Sequence, residues 1–316
     1  MSFRHEALLY RGEDEFVARV EPVVREGTAA GEAVMVAVSD RKIGRLRDAL
    51  GPAAADVTFA DMDDIGANPA CIIHAWHEWA APHLAARRPV RGVGEPISAS
   101  RTPDELVECQ RHEELLNVAF GPGPGWLLVC PYDTATLEPA VIAECRCSHP
   151  VVLENGAAHE SSEYRGVDAI VEPFTQPLSE PDGTPDELAF DLSQLGDVRR
   201  RVAGVAARAG LDAERSDDLV VAVHEVAANS VRHGGGRGVL RTWRGDRCVT
   251  CEVRDPGYIA EPLVGRLRPS AAVEGGHGIW LANQLCDLVQ VRSSKGGTTV
   301  RLIVRIARRS GRALGG

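Results

Sequence analysis

Residues 154–187 divide this chain into two stretches that follow different rules. They hold Pro173, Pro177, Pro181 and Pro185, together with Asn155-Gly156 and Asp182-Gly183. Proline and glycine at that density mark turns and irregular chain. A chain of 316 residues has room for about two domains, so this stretch is read as their connector. The expected organisation is a first domain over 1–153, a linker over 154–187, a second domain over 188–309 and a tail over 310–316. The change of pattern falls near 180, and 174–190 is free to pack on either domain.

Before the connector, short apolar runs alternate with helical patterns. Residues 6–10 read as a strand. Phe16, Val17, Val20, Val23 and Val24 then recur at three- and four-residue spacing over 14–26, which predicts a helix. Residues 33–38 form a β-rich apolar run, and Asp40 is placed to cap a helix carrying Ile43, Leu46 and Leu50. A strand over 57–60, a helix over 70–84 and a strand over 90–94 follow. Thr102-Pro-Asp-Glu105 has capping-box spacing and opens a helix to Phe120, and 126–130 is a further strand. Such alternation implies a largely parallel sheet covered by helices.

After the connector the pattern changes. Residues 196–209 are helical, with Val198, Val202, Val205 and Ala206 on one stripe, and Gly210 stops them. Ser216 is read as the cap of a second helix over 217–233, whose Leu219, Val220, Val223, Val226, Ala227 and Ser230 follow helical spacing. Residues 238–243, 248–254, 287–293 and 298–306 read as strands, and 279–286 as a third helix. Helices grouped beside a mixed sheet imply an α/β sandwich.

Hydrophobic and charged residues make up 44% and 25% of the chain, ordinary values for folded protein. The formal net charge of −10 argues against a nucleic-acid binder, which needs a basic surface. The arginines at 199–201 and those of the basic tail are read as solvated surface. No run approaches the ~20 uncharged apolar residues of a membrane helix, and no secretory leader is visible. A cytoplasmic chain is expected, with its eight cysteines reduced. Cys145-Arg-Cys147-Ser-His149 offers three metal donors. A structural zinc ion takes four, and no matching second pair stands near, so these are read as structural thiols. Cys248 and Cys251 are read the same way.

The chemistry concentrates on the second helix. Glu225, Asn229 and His233 are spaced i, i+4, i+8 and stack on one face beside the apolar stripe. A Glu and an Asn there are costly to bury without partners, so they meet solvent or a ligand. Their oxygens suit Mg²⁺, directly or through water, and a carboxylate near a phosphoryl acceptor can act as general base. Asp255-Pro-Gly257 ends a strand, where a fixed carboxylate can accept a hydrogen bond from an exocyclic amine. Gly275-Gly276-His277-Gly278 precedes the third helix. Its glycines allow close backbone approach, and its N–H groups favour phosphate. Residues 258–274 between them suit a lid, and Gly296-Gly297-Thr298-Thr299 turns into the last strand. Singly these signals are weak; in this order and spacing they define a nucleotide site.

At these residues the chain resembles a known family. His224-Glu225-Val-Ala-Ala-Asn229-Ser-Val-Arg-His233-Gly234 looks like the N box of the ATPase fold shared by gyrase, histidine kinases and the anti-sigma-factor serine kinases. Asp255–Gly257 resembles its first glycine box, Gly275–Gly278 its second, and Gly297-Thr298 its terminal strand motif. The likeness covers about 190–306, and the short lid is most similar to the anti-sigma-factor kinases. It implies Glu225 as catalytic base, Asn229 as Mg²⁺ ligand, Asp255 as reader of adenine and Thr298 as support for the adenine end. His233, Gly257, Gly275, Gly276, His277 and Gly278 would complete the ATP site. One departure stands out: where the family often has a second glycine, in Asp-x-Gly-x-Gly, this chain has Ile259, which implies a stiffer lid hinge.

The first half resembles the MEDS sensory domain, a degenerate relative of the RecA-like fold. His5-Glu-Ala-Leu-Leu-Tyr10, residues 113–117, and Cys130-Pro-Tyr-Asp133 with His149-Pro150 carry that likeness. The resemblance implies a parallel-sheet domain. The Ser39-Asp-Arg-Lys-Ile that follows the 33–38 strand is not a GxxxxGK[ST] phosphate loop, so no ATP hydrolysis is expected there. For His5 a phosphoacceptor role, and for Cys130 a redox-sensing role, compete with packing and strand-end hydrogen bonding, and the second pair of roles is preferred.

The two resemblances together imply an anti-sigma regulator. It would bind ATP and Mg²⁺, sequester a sigma factor, and act as a serine/threonine-protein kinase on a STAS-type anti-anti-sigma antagonist. Three alternatives follow: an ATP-binding sequestering module without catalysis, a sensor histidine kinase, for which 154–195 offers only His159, and a DNA-binding regulator, for which no helix-turn-helix is evident. Direct nucleic-acid or membrane contact is not expected. Relatives of the kinase domain are often homodimers.

Overall fold

The computed structural model describes residues 3–120, 125–166, 176–269 and 276–306. The chain folds as two compact units, Met1–Ile170 and Val171–Gly316. Among the described residues no helix is long and apolar enough to cross a membrane.

The first unit is built on a seven-stranded sheet, in the order β3-β2-β4-β5-β1-β6-β7. Its strands are β1 (Phe3–Tyr10), β2 (Ala33–Val38), β3 (Val57–Asp61), β4 (Val90–Gly94), β5 (Trp126–Asp133), β6 (Val151–Glu154) and β7 (Ala157–Glu160). All pairings are parallel except the β6–β7 hairpin, as the strand–helix alternation required. The helices are α1 (Gly12–Ala29), α2 (Asp40–Leu50), the single turn α3 (Met62–Ile65), α4 (Ile72–Ala85), α5 (Pro103–Ala119) and α6 (Pro139–Ser148). Phe16, Val20 and Val24 of α1 and Ile43, Leu46 and Leu50 of α2 join Val34, Val36 and Val38 of β2 in one core. The capping box of α5 is present in full: the Thr102 side chain accepts from the Glu105 N–H, and the Glu105 carboxylate accepts from the Thr102 N–H. α2 follows β2 directly, with Ser39 as its N-cap residue. Lys42 Nζ donates to both Glu95 carboxylate oxygens and to the Tyr10 hydroxyl, at 2.6–2.7 Å. All three of its donors are therefore occupied within the fold.

The second unit pairs a five-stranded antiparallel sheet, β11-β12-β10-β9-β8, with three helices. Its strands are β8 (Asp186–Asp191), β9 (Arg237–Arg244), β10 (Cys248–Asp255), β11 (Leu288–Ser294) and β12 (Gly297–Arg305). Its helices are α7 (Leu195–Ala209), α8 (Ala213–His233) and α9 (His277–Leu285). The stripes read from sequence are buried: Val198, Val202 and Val205 of α7 and Leu219, Val223 and Val226 of α8 pack with Val249, Cys251 and Val253 of β10. Burial pushes the Cys251 thiol up to about 12, so it stays protonated as a small apolar side chain. Gly210 ends α7 in the left-handed region, at φ +80°. α8 starts one turn earlier than read from Ser216. Asp212 is its N-cap, accepting from the Arg215 N–H at 2.8 Å, which satisfies an otherwise orphaned helix donor. On α7, Arg200 pairs with Asp197 and Arg201 with Asp186.

The other face of this sheet is polar. Glu252 of β10 is fully buried and accepts from Arg301 at 2.6 and 2.9 Å, from Arg254 at 2.7 Å and from Arg241 at 3.2 Å. The segment before β8 lies over it. Arg301 donates to the Ser179 carbonyl at 2.7 Å, Glu180 pairs with Arg241 and Arg254, and the Trp243 indole N–H donates to the Gly183 carbonyl at 3.3 Å. Residues 176–185 thus contribute to the second unit.

Candidate functional site

A cavity of about 190 Å³ opens between α8, the β10 end and the start of α9. Three elements bring its polar groups together. α8 contributes Asn229, Ser230 and His233; the end of β10 contributes Asp255 and Gly257; β12 contributes Thr298, which pairs directly with Asp255 in the sheet register. Val226, Ile259, Val264, Ile279 and Val300 supply apolar wall. Asp255 is the only acidic residue among the described residues that line it.

Asp255 is held from two sides. The Ser230 hydroxyl donates to its Oδ2 at 2.6 Å, and the Gly257 N–H donates to its Oδ1 at 2.8 Å. Close approach of the backbone makes this possible. A Cβ on Gly234 would stand 2.5 Å from the Asp255 carboxyl carbon, and one on Gly257 would stand 2.7 Å from the Gly234 Cα. A second chain of bonds fixes the wall beside it. The Ile259 N–H donates to Ser293 Oγ at 2.8 Å, Ser293 and Thr298 hydroxyls are 2.8 Å apart, and Thr298 Oγ1 donates to the Gly257 carbonyl at 2.9 Å. With Thr298 donating onward, the Ser293 hydroxyl donates to Thr298, and every hydrogen in the chain has an acceptor.

Other residues singled out from sequence take varied positions. Gly276 lines the cavity and caps α9 with φ +79°. Gly278 faces α8: a Cβ there would meet Asn229 Nδ2 at 2.5 Å and Glu225 Cβ at 3.4 Å. Glu225 is half-buried beside Gly278 and is not on the cavity wall. His233 is exposed but lines the cavity, while His277, also exposed, does not. Gly275 lies outside the described residues, as does most of the C-terminal half of the expected lid. The described part of that lid is tied to α9, where Asn283 donates to the Gly265 carbonyl at 2.8 Å.

Sequence reasoning does not single out the supporting hydroxyls. Ser230 reads as part of the apolar stripe, and Ser293 as one residue of a strand. The signal for Ser230 is its position next to Asn229 on the face shared with the site. Among the described residues His149 groups with His5, Glu113 and Cys130 and not with Cys145 or Cys147.

An antiparallel sheet backed by three helices, with a carboxylate-bearing cavity at the helix and strand ends, defines an α/β sandwich. Residues 188–304 match the family described as histidine kinase-like ATPase domain, and residues 4–150 match MEDS, the methanogen/methylotroph, DcmR sensory domain. The chain therefore joins an N-terminal MEDS domain to a C-terminal histidine kinase-like ATPase domain, a fold that binds nucleotide. A solved structure of the RsbU and RsbW domains of Rv1364c from Mycobacterium tuberculosis is 24% identical over 40% of this chain, with a TM-score of 0.31. The match covers 33% of that chain, so it spans about a third of its length. No curated protein matches.

Proposed function

We propose that this chain is an ATP-dependent anti-sigma regulator. In this reading the ATPase part, 188–309, binds Mg²⁺ and ATP, sequesters a sigma factor and phosphorylates a serine of a STAS-type anti-anti-sigma antagonist. The sensory part, 1–153, joined through 154–187, biases that exchange in the cytoplasm. The observation that carries the nucleotide reading is Asp255, a fixed carboxylate in a cavity with apolar walls. That combination suits a flat base bearing an exocyclic amine. The rest of the reading rests on the order of motifs shared with the anti-sigma-factor kinases.

The residues present fit Mg²⁺ and ATP. Asn229 offers an amide oxygen on the cavity wall, a hard donor suited to Mg²⁺. The N–H groups at the start of α9 suit phosphate oxygens, and Gly278 lets that turn approach Asn229 and Glu225. ATP, when bound, supplies the phosphoryl group. Glu225 accepts the proton of the incoming serine hydroxyl, and the α9 N–H groups stabilise charge on the phosphate. Incubation with labelled ATP and the cognate antagonist tests this. Transfer to serine that is lost in Glu225→Ala is the expected result; nucleotide binding without any transfer would remove the kinase activity from the reading.

Ile259 favours a second reading, in which ATP is a structural ligand and regulation acts by sequestration alone. Its N–H is tied to Ser293 and its side chain packs against the core, which anchors the lid hinge where relatives often have glycine. A Glu225→Ala variant that regulates normally in cells would select this second reading.

A further inference from the structure

Four buried side chains meet in the first unit, and the nucleotide reading uses none of them. His5 lies on β1, Glu113 on α5, Cys130 on β5 and His149 just after α6, and none is more than 3% exposed. Parallel pairing sets His5 opposite Leu128 and Ala7 opposite Cys130, so His5 and Cys130 are diagonal neighbours on one face of the sheet. His5 Nε2 is 3.1 Å from Glu113 Oε2 and 3.4 Å from Cys130 Sγ. His149 Nε2 is 3.4 Å from the same Glu113 oxygen. One donor atom from each residue lies within 4.8 Å of all the others.

The outer contacts decide which ring nitrogens carry hydrogen. His149 Nδ1 is 2.8 Å from the Cys145 carbonyl, which can only accept, and 3.0 Å from the Ser148 hydroxyl, which has the Glu144 and Cys145 carbonyls as acceptors. With the hydroxyl directed to those carbonyls, this Nδ1 bears a hydrogen. Asn117 donates its Nδ2 to the Ser148 carbonyl at 2.8 Å and turns its oxygen to His5 Nδ1 at 3.1 Å. His5 Nδ1 therefore also bears a hydrogen. As neutral rings, both histidines turn a hydrogen-free Nε2 toward Glu113; His5 Nε2 can accept from the Cys130 S–H at 3.4 Å, whereas His149 Nε2 faces the carboxylate without a donor. His149 Nε2 and Glu113 Oε1 are buried and make no hydrogen bond. Lone pairs converging on a carboxylate repel one another, and unsatisfied buried polar atoms are costly. Protonating both rings would leave two cations against one anion in a buried site, and protonating His149 alone still leaves Glu113 Oε1 without a hydrogen bond.

A divalent cation would engage one donor atom of each of the four residues at once. We propose that His5, Glu113, Cys130 and His149 are the four ligands of a divalent transition-metal ion of the zinc class. Two imidazoles, one carboxylate and one thiolate match the donor preferences of such an ion. With bonds of about 2.0–2.3 Å in a tetrahedron, neighbouring donor atoms stand about 3.3–3.8 Å apart; the contacts of 3.1 and 3.4 Å lie near the short end of that range, and all four atoms lie within 4.8 Å of one another. A double positive charge against one carboxylate and one thiolate leaves the buried site neutral. Binding exchanges the Cys130 S–H bond for a sulfur–metal bond and releases the proton to solvent, with no change of oxidation state. Asn117 and the Cys145 carbonyl fix the two rings through Nδ1, the usual outer support of metal-bound histidine. Because protein atoms fill all four positions, the ion holds β1, β5, α5 and the C-terminal cap of α6 together rather than activating a water molecule.

The test uses the full chain, purified without chelator. Elemental analysis should give one metal ion per chain. The Co²⁺-substituted protein should show tetrahedral ligand-field bands together with a thiolate-to-cobalt charge-transfer band. Cys130→Ser should remove the charge-transfer band, while Cys109→Ser, a buried thiol outside the cluster, should keep it. A folded parent chain that takes up neither zinc nor cobalt stoichiometrically, or a charge-transfer band that survives Cys130→Ser, overturns the proposal. If Cys130→Ser does not fold, X-ray absorption on the zinc-loaded parent decides. One sulfur with three nitrogen or oxygen neighbours supports the site, and any other sulfur count overturns it.

Discussion

Replacing Asp255 with Asn tests the nucleotide reading at one atom pair. The wild-type carboxylate accepts from Ser230 Oγ at 2.6 Å and from the Gly257 N–H at 2.8 Å. An Asn has one oxygen, and it must face Gly257, because a backbone N–H cannot accept. Its amide nitrogen then faces Ser230, whose hydroxyl can rotate to accept. Both contacts survive as neutral hydrogen bonds, so roughly 1 kcal/mol of stability is expected to be lost, the difference between charged and neutral bonds. The cavity, by contrast, loses its negative acceptor. An amine that had donated to a carboxylate would lose about 1.5–3 kcal/mol, which corresponds to roughly 10- to 100-fold weaker ATP binding. Calorimetric titration with ATP and with GTP, beside thermal unfolding of both proteins, separates the effects. Guanine carries an oxygen where adenine carries the amine, so GTP affinity should not fall in parallel. A folded Asp255→Asn protein that binds ATP within twofold of wild type would refute the assignment of Asp255 to the base.

Gly278→Ala places a methyl group 2.5 Å from Asn229 Nδ2; the side chain should swing away, weakening ATP about tenfold or more in Mg²⁺ with much less change in EDTA. An equal loss in both buffers would detach Asn229 from the metal. Glu252→Ala leaves Arg301, 2% exposed, without its carboxylate, and should cost about 3–5 kcal/mol; an unchanged urea midpoint would count against the Glu252 network as a stabilising hub. Glu180 is held down to about 2 by hydrogen bonds from Arg241 and Arg254. A lowered carboxylate contributes stability above its ordinary range and loses it as pH falls toward 2. Glu180→Gln should therefore flatten the acid limb of the stability profile slightly, and less so in high salt, because the pair is exposed. An acid limb identical to wild type at low salt would exclude that contribution.

The elements that sequence shows best are those with a regular, buried face. Val198, Val202 and Val205 on α7, and Leu219, Val223 and Val226 on α8, show their period because one side of each helix meets the sheet. Strand β8 is hidden from such a reading because only Phe190 among its six residues is buried, so no alternation marks it. Ser216 reads as the start of α8 because the apolar stripe begins there; Asp212 caps a polar first turn that carries no such stripe. In the cavity, Asn229, Asp255 and Thr298 are legible as motifs, yet the hydroxyls that hold Asp255 and Thr298 are not, since Ser230 and Ser293 act through pairings across strands and helix. The His5, Glu113, Cys130 and His149 cluster shows in the sequence only as scattered resemblance motifs. Its members are spread from residue 5 to residue 149, and parallel pairing of β1 with β5 is what draws His5 and Cys130 together.

Residues 176–185 bear on where the chain can be cut. A fragment beginning at 188 would contain every motif of the ATPase fold. It would also lack Ser179, Glu180 and Gly183, and so would leave Arg301, Arg254 and the Trp243 indole without partners supplied from upstream. Its newly bared sheet face would carry surplus positive charge and an uncovered tryptophan edge, a surface prone to adhere to nucleic acid or to other chains. Poor solubility of such a fragment would reflect the missing strap and not a defect in nucleotide binding, and starting it before residue 176 should restore an inert surface.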